Sequence, residues 1–336
     1  MTQSLSKIHE FQLWSYACVF NKIVVVYATH RNMDKIGFIG LGRMGRPMAI
    51  NLFSKGFDVT AWDIRPEVTQ ALAQVGLKAG VSIAQIAKDC DIVITMLPSS
   101  IEVDSVVQGA NGVFANARPG TVVMDMSTID PLATDRFNVL AKNHGLSWVD
   151  APVGRLAEHA DRGESLFMVG ASDEDFSRVR PLMAAMGNSI YHCGDVGTGG
   201  RTKLVNNYIA ITLCQVNGEA LALSQRFGLD LTNTLAVLLG TSANNGQLRM
   251  NFPNKVLAGD SSPGFTIDLA HKDLSLVLNA ANACKVPMPV GAATLNSFSL
   301  ARASDHGTLD FSCIVDVMCE MAQIQKPRVP SGWKPT

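Results

Sequence analysis

The chain has 336 residues, enough for two domains of ordinary size, and at 47% apolar and 17% charged it can bury large cores, which argues against intrinsic disorder. Lys and Arg total 28 against 29 Asp and Glu, a net charge of −1, with no basic block or aromatic-interleaved basic patch, so neither nucleic acid nor an anionic membrane is an expected partner. The seven cysteines are scattered and contain no CxxC pair, and the seven histidines form no HExxH or other ligand spacing, so reduced thiols in a cytoplasmic protein and no bound metal are expected.

Residues 1–33 differ in texture from the rest of the chain. The stretch 16–28 is apolar but is broken by Asn21-Lys22 and is too short to span a bilayer. His9, Glu10 and the lack of a small-residue cleavage site speak against a signal peptide. Met33 stands immediately before the first strand-like run, so the compact fold is expected to start there, with 1–33 an N-terminal extension or the product of a misplaced start.

From Asp34 to about Val196 short apolar runs alternate with helical periodicity. Strands are expected at 35–41, 58–63, 91–97, 121–126, 147–151, 166–169 and 190–193, and helices at 44–55, 66–75, 83–88, 131–142 and 173–186. Near-continuous runs such as Ile92-Val93-Ile94-Thr95-Met96-Leu97 read as buried parallel strands, and their alternation with helices gives a doubly wound α/β sheet. After Val196 no strand-like run remains. Helical patterns cover 198–227, 231–239, 268–284, 290–303 and 311–321, with Gly228 placed to end the first. The expected architecture is a parallel-rich Rossmann domain over 34–196 and an all-α domain over 197–325, joined by a long interdomain helix.

Within the first domain, Gly40-Leu41-Gly42-Arg43-Met44-Gly45 follows an apolar run, and Asp63 closes the next one, 18 residues beyond Gly45. A dinucleotide needs that layout. Gly40 permits the tight turn, Gly42 lets backbone N–H groups approach the pyrophosphate, and Gly45 lets helix and strand pack closely. The helix start at Arg43 and Met44 aims its partial positive charge at the phosphates. Asp63 can accept hydrogen bonds from the adenosine ribose, which favours NAD, although Arg65 could neutralise the 2′-phosphate of NADP.

On the long helix, Lys203, Asn206, Asn207 and Ala210 share one face at offsets i, i+3, i+4 and i+7. A solvated polar face is the simpler explanation, but the apolar neighbours Leu204, Val205, Tyr208 and Ile211 leave little width for one. A lysine held there in a dry cleft can give a proton to a carbonyl oxygen, with an amide fixing its ammonium. At a strand end, Asp150-Ala151-Pro152-Val153-Gly154-Arg155 presents a guanidinium that suits a carboxylate, phosphate or sulfonate, or is an ordinary surface arginine. Asp125-Met126-Ser127-Thr128 ends another strand and offers donors, or caps the helix ahead of Pro131. His271 reads as structural.

These pieces occur in the order of the β-hydroxyacid dehydrogenase family, which the chain resembles over roughly 34–322. Ile39-Gly40-Leu41-Gly42-Arg43-Met44-Gly45 with Pro47-Met48-Ala49 is similar to the family's cofactor signature, and Met126-Ser127-Thr128-Ile129 to a segment beside nicotinamide and substrate. Gly199-Gly200-Arg201-Thr202-Lys203-Leu204-Val205-Asn206-Asn207 resembles its catalytic helix, which implies Lys203 as general acid and Asn207 as its orienting partner. Lys272-Asp273 resembles a late motif, which implies that Lys272 reaches both cofactor and substrate. The resemblance further implies cofactor contacts at Leu97, Pro98 and Thr128 and a substrate contact at Ser127. Where the family commonly carries Ser-Gly-Gly, this chain has Gly154-Arg155-Leu156, as in a branch that reduces a sulfonated aldehyde. That branch implies Gly154, Arg155 and Asn206 as the sulfonate site, with Ala210 where a serine is expected. It implies NADH-dependent, reversible reduction of 3-sulfolactaldehyde to 2,3-dihydroxypropane-1-sulfonate, a step of sulfosugar degradation. A carboxylate semialdehyde dehydrogenase (succinic, tartronic or methylmalonic) and a non-catalytic nicotinamide-binding sensor are the alternatives. Self-association as a homo-oligomer is expected from the apolar helical half.

Overall fold

A computed structural model describes residues 34–334, so the N-terminal extension lies outside the described residues. The α/β half runs β1 (Lys35–Ile39), α1 (Gly45–Ser54), β2 (Asp58–Trp62), α2 (Pro66–Ala73), β3 (Lys78–Ala79), α3 (Ile83–Asp89), β4 (Ile92–Thr95), α4 (Ser100–Val107), α5 (Val113–Asn116), β5 (Val122–Asp125), α6 (Pro131–Asn143), β6 (Ser147–Asp150), β7 (Val153–Gly154), α7 (Ala157–Asp161), β8 (Ser165–Gly170), α8 (Asp173–Met186) and β9 (Gly187–Gly194). The helical half runs α9 (Thr198–Arg226), α10 (Leu231–Leu239), a π-helical turn (Gln247–Asn251), α11 (Phe252–Asn254), α12 (Ile267–Ala283), α13 (Pro289–Ala303) and α14 (Ile314–Ala322).

The strands form one sheet in the order β3-β2-β1-β4-β5-β6-β8-β7, with β9 also on β8. Pairing from β3 through β6 is parallel, β8 is antiparallel to β6 and β7, and β9 is parallel to β8. Strand order reverses between β1 and β4, so their carboxyl ends open the crevice where such sheets hold ligands. Both faces are covered. Ile92, Ile94, Val122 and Met124 pack into one apolar core while Val93 and Val123 enter another, the period-2 alternation that makes these strands read as unbroken apolar runs.

Helix α9 has 29 residues, about 43 Å at 1.5 Å per residue, and Gly228 follows it at φ 69° as its position predicts. Its first turn lies so close to the sheet that a Cβ on Gly199 would overlap the carbonyl oxygen of Met168. Asp150, at the end of β6, accepts the N–H groups of Gly197 (2.6 Å) and Gly200 (2.7 Å), anchoring that turn. Burial pushes the Asp150 carboxyl up to about 7 against the opposing pull of those two amides. From this anchor α9 runs into the second core, built from Ile211, Leu221, Leu235, Phe252, Leu274, Phe298 and Ile314.

Candidate active site

A cavity of about 880 Å³, at the upper end of the range of small-molecule sites, runs from the glycine turn across the strand ends to α9 and α12. At its dinucleotide end Gly40 has φ 96°, and a Cβ on Gly45 would overlap the Gly40 carbonyl oxygen, so both glycines are required by the fold. Gly42 is different: its φ is not left-handed and a Cβ there would meet no protein atom within 4 Å. The turn therefore keeps open a space that nothing in the protein uses. Met44 stands at the N-cap of α1 without a side-chain capping bond, leaving amide donors at that helix start. An open cradle beside uncapped N–H groups fits a pyrophosphate.

Asp63 accepts the N–H of Leu41 (2.8 Å), and both the backbone N–H and Nε of Arg65 (3.0 Å each). Burial alone would raise its carboxyl, but the Arg65 and backbone bonds outweigh burial and hold it below its ordinary value. It is thus an anion on the cavity wall. Arg43 lines the same end, with its guanidinium in a two-point ion pair with Asp161 (3.0 and 2.8 Å).

Lys203, Asn206, Asn207 and Ala210 all line the cavity, as the i, i+3, i+4, i+7 spacing predicts. Lys203 is 9% exposed. Burial pushes its ammonium down, nearby Asp273 pulls it back up, and Lys272 pushes it further down. Asn207 does not bond to Lys203. Its Nδ2 donates to Asp273 Oδ2 (2.6 Å), and its Oδ1 accepts from Asn206 Nδ2 (3.0 Å). The orienting partner expected for the lysine is instead tied to α12. Lys272 Nζ sits 3.0 Å from Asp273 Oδ1 and donates to the carbonyls of Thr128 (2.8 Å) and Pro98 (3.1 Å), strapping α12 to the ends of the sheet.

Leu97, Pro98, Ser127 and Thr128 line the cavity as expected. Ser127 Oγ accepts from Leu97 N (2.9 Å), and its hydroxyl also faces the buried Asp125 carboxyl, which it helps to hold down against burial. Asp130, not this segment, caps α6.

Three further positions are placed as follows. Gly154 is not among the cavity-lining residues: a Cβ there would face Leu166 and Met168, so the glycine serves the packing of β7 on β8. Arg155 lines the cavity, but its guanidinium is not held out alone; Nη1 bonds Glu164 O and Asn188 Oδ1, and Nη2 bonds Ser189 Oγ. Val205 is not packed against the polar face of α9 but is 65% exposed. Two further residues take places that their local sequence does not mark. Asp273, the acidic member of the Lys272-Asp273 motif, is charged yet only 2% exposed. Gln247 reaches the wall from the π-helical turn, with Nε2 on Ala210 O (3.0 Å), and no periodic signal marks it.

Comparison with known proteins agrees with this geometry. Residues 35–194 match the family described as the NAD binding domain of 6-phosphogluconate dehydrogenase, and residues 197–318 that described as NAD-binding of NADP-dependent 3-hydroxyisobutyrate dehydrogenase. The chain is 42% identical over 284 residues to 3-sulfolactaldehyde reductase of Escherichia coli (strain K12), covering 84% of this chain and 95% of that one. It is 35% identical over 290 residues to 2-(hydroxymethyl)glutarate dehydrogenase of Eubacterium barkeri, covering 86% and 96%. Among solved structures, Mycobacterium tuberculosis 3-hydroxyisobutyrate dehydrogenase with L-serine is similar at a TM-score of 0.78 and 31% identity, over 85% of this chain and 99% of that one. An NAD-binding sheet with an open glycine cradle, a buried lysine on the helix after it, and matches over both halves establish that the chain belongs to the β-hydroxyacid dehydrogenase family of NAD-dependent oxidoreductases.

Proposed function

We propose that this enzyme catalyses the NADH-dependent reduction of 3-sulfolactaldehyde to 2,3-dihydroxypropane-1-sulfonate, and the reverse oxidation. The observation that carries the reading is a buried Lys203 sharing one cavity with the glycine turn and with Arg155, at a position where small donors are usual in the family. The similarity to a 3-sulfolactaldehyde reductase supports the sulfonate over a carboxylate.

When bound, the dinucleotide supplies the hydride. Lys203 gives its proton to the aldehyde oxygen as that oxygen gains charge, and the lowering of its pKa by burial eases the transfer. Asn207 and Asp273 hold the lysine's helix face, Ser127 lines the substrate end of the cavity, and Asn206 and Arg155 take the anionic end of the substrate. Asp63, an anion held below its ordinary value, disfavours a 2′-phosphate and so selects NAD over NADP. We place the boundary between the dinucleotide half and the helical half at 196/197.

A homo-oligomer fits the outer face of α9. Val205, Ile209, Val216, Leu223 and Phe227 are exposed and fall on one stripe at helical spacing. We propose a second copy of the chain as the occupant of that stripe, since it runs in register along about six turns of one helix face. The six described cysteines are free, in keeping with a cytoplasmic setting.

Purified protein given NAD and 2,3-dihydroxypropane-1-sulfonate should produce NADH and the aldehyde. Absence of NADH formation with this diol, alongside oxidation of 3-hydroxyisobutyrate, would overturn the assignment.

A further inference from the structure

Arg155 sits in the left-handed region at φ 71°, one of four non-glycine residues among those described to do so. Its guanidinium is held by three acceptors: Nη1 donates to Glu164 O (2.5 Å) and Asn188 Oδ1 (2.6 Å), and Nη2 donates to Ser189 Oγ (3.0 Å). Ser189 Oγ and Asn188 Oδ1 are themselves 3.0 Å apart, so together they occupy the Nη1/Nη2 end of the plane. A guanidinium has five N–H donors. The two that remain, Nε–H and the second Nη2–H, lie side by side on one edge, the fork that grips two oxygens of an oxyanion.

Consecutive strand residues point to opposite faces, so Asn188 and Ser189 should not both reach one guanidinium. A bulge resolves this. Ser165 pairs with Gly187 but Leu166 pairs with Ser189, leaving Asn188 as the extra residue of β9. Bulges of this kind re-aim side chains. Leu166 also pairs with Gly154, which brings Arg155, β8 and the bulge into one row across three strands.

Resting on the reading that Arg155 takes the substrate's anionic end, we propose that Asn188 and Ser189 are positioning residues for substrate selectivity. Through the β9 bulge, and with the Glu164 carbonyl, they fix the Arg155 guanidinium so that its Nε/Nη2 edge is offered to the sulfonate. They touch neither substrate nor cofactor.

The test compares N188A/S189A, the single variant S189A, the acceptor-preserving N188D/S189T, and Arg155→Gly, each assayed with 3-sulfolactaldehyde and with uncharged glyceraldehyde. For N188A/S189A, KM for the sulfonate is expected to rise about three- to tenfold, the scale of re-ordering one long side chain on binding. Its kcat, its Kd for NADH and its kcat/KM for glyceraldehyde should stay at the parent values. S189A should show a smaller rise, and N188D/S189T should restore the parent KM. A raised KM in Arg155→Gly with no change in N188A/S189A would overturn the positioning role while leaving Arg155 as the anion site. An unchanged KM in Arg155→Gly would overturn the anion site and the positioning role with it. Equal losses on sulfonate and glyceraldehyde in N188A/S189A would show that the bulge only supports folding and would also overturn the proposal.

Discussion

Asn207 Nδ2 donates to Asp273 Oδ2 at 2.6 Å, so the helix face that carries Lys203 is fastened to α12 through a carboxylate that also faces Lys272. Asp273 and Lys272 are the charged groups that act on Lys203 from α12, with opposite signs. On the proposed mechanism reduction requires Lys203 as the ammonium, so activity should fall as pH rises through its pKa. Asp273→Asn removes the charge that raises that pKa, and the alkaline limb of kcat for reduction should move to lower pH. Lys272→Met removes the charge that lowers it and should move the limb the other way. Lys203→Met should cut kcat by about 10²–10⁴ with NADH affinity kept. Limbs that stay put in both charge variants would show that Asp273 and Lys272 do not tune the lysine.

The glycine turn offers a paired comparison. A Cβ at Gly42 meets no protein atom, whereas one at Gly45 overlaps the Gly40 carbonyl oxygen. Gly42→Val should leave Tm close to the parent value and raise the Kd for NADH about tenfold or more, a loss of roughly 1.4 kcal/mol or more. Gly45→Ala should cost about 1–3 kcal/mol of stability through overpacking. Thermal denaturation and NADH fluorescence titration separate the two. A destabilised Gly42→Val that still binds NADH normally would mean the cradle is structural.

Asp150 gives a pH dependence of stability. Its carboxyl is raised from 3.8 to about 7 in the folded protein, so between those values the native state holds a proton that the unfolded state lacks. Its contribution is therefore greatest at acid pH and lost as pH rises through that window. The Tm of the parent relative to that of Asp150→Asn should fall from about pH 4 to pH 7. A relative Tm that rises with pH would mean the carboxylate is held charged by the Gly197 and Gly200 amides.

The exposed stripe on α9 predicts assembly. Val216→Glu places a charge midway between Ile209 and Leu223 and should shift the sedimentation coefficient to that of a monomer. A parent chain that sediments as a monomer at micromolar concentration would remove the second copy as the stripe's occupant.

Elements that burial marks over six or more residues are legible in the sequence: β4 lies buried within the run 92–97, and α9 carries a cavity-lining face with Lys203 and Asn207. The short elements β3, β7 and α5 are not, since two to four residues carry no period. Helix α4 does carry a local signal, Ser99 three residues before Glu102, and the two side chains bond at 2.5 Å. The direction of the Arg155 side chain depends on partners 9, 33 and 34 residues away, and no local pattern encodes them. Asp273 is hidden for the opposite reason. A Lys-Asp pair near a helix start looks solvated until another helix covers it.

A sulfonate keeps its charge across the working pH range and offers three oxygens, whereas a carboxylate offers two. On the proposed function, Arg155, Asn206 and Ser127 on the cavity wall favour the former, a preference that NADH oxidation can measure. Steady-state kcat/KM should be determined side by side for 3-sulfolactaldehyde, succinic semialdehyde, tartronic semialdehyde and methylmalonic semialdehyde. The sulfonated aldehyde should be favoured by about tenfold or more, the scale of one charge-assisted hydrogen bond. Equal or greater efficiency with any carboxylate semialdehyde would contradict the sulfonate assignment.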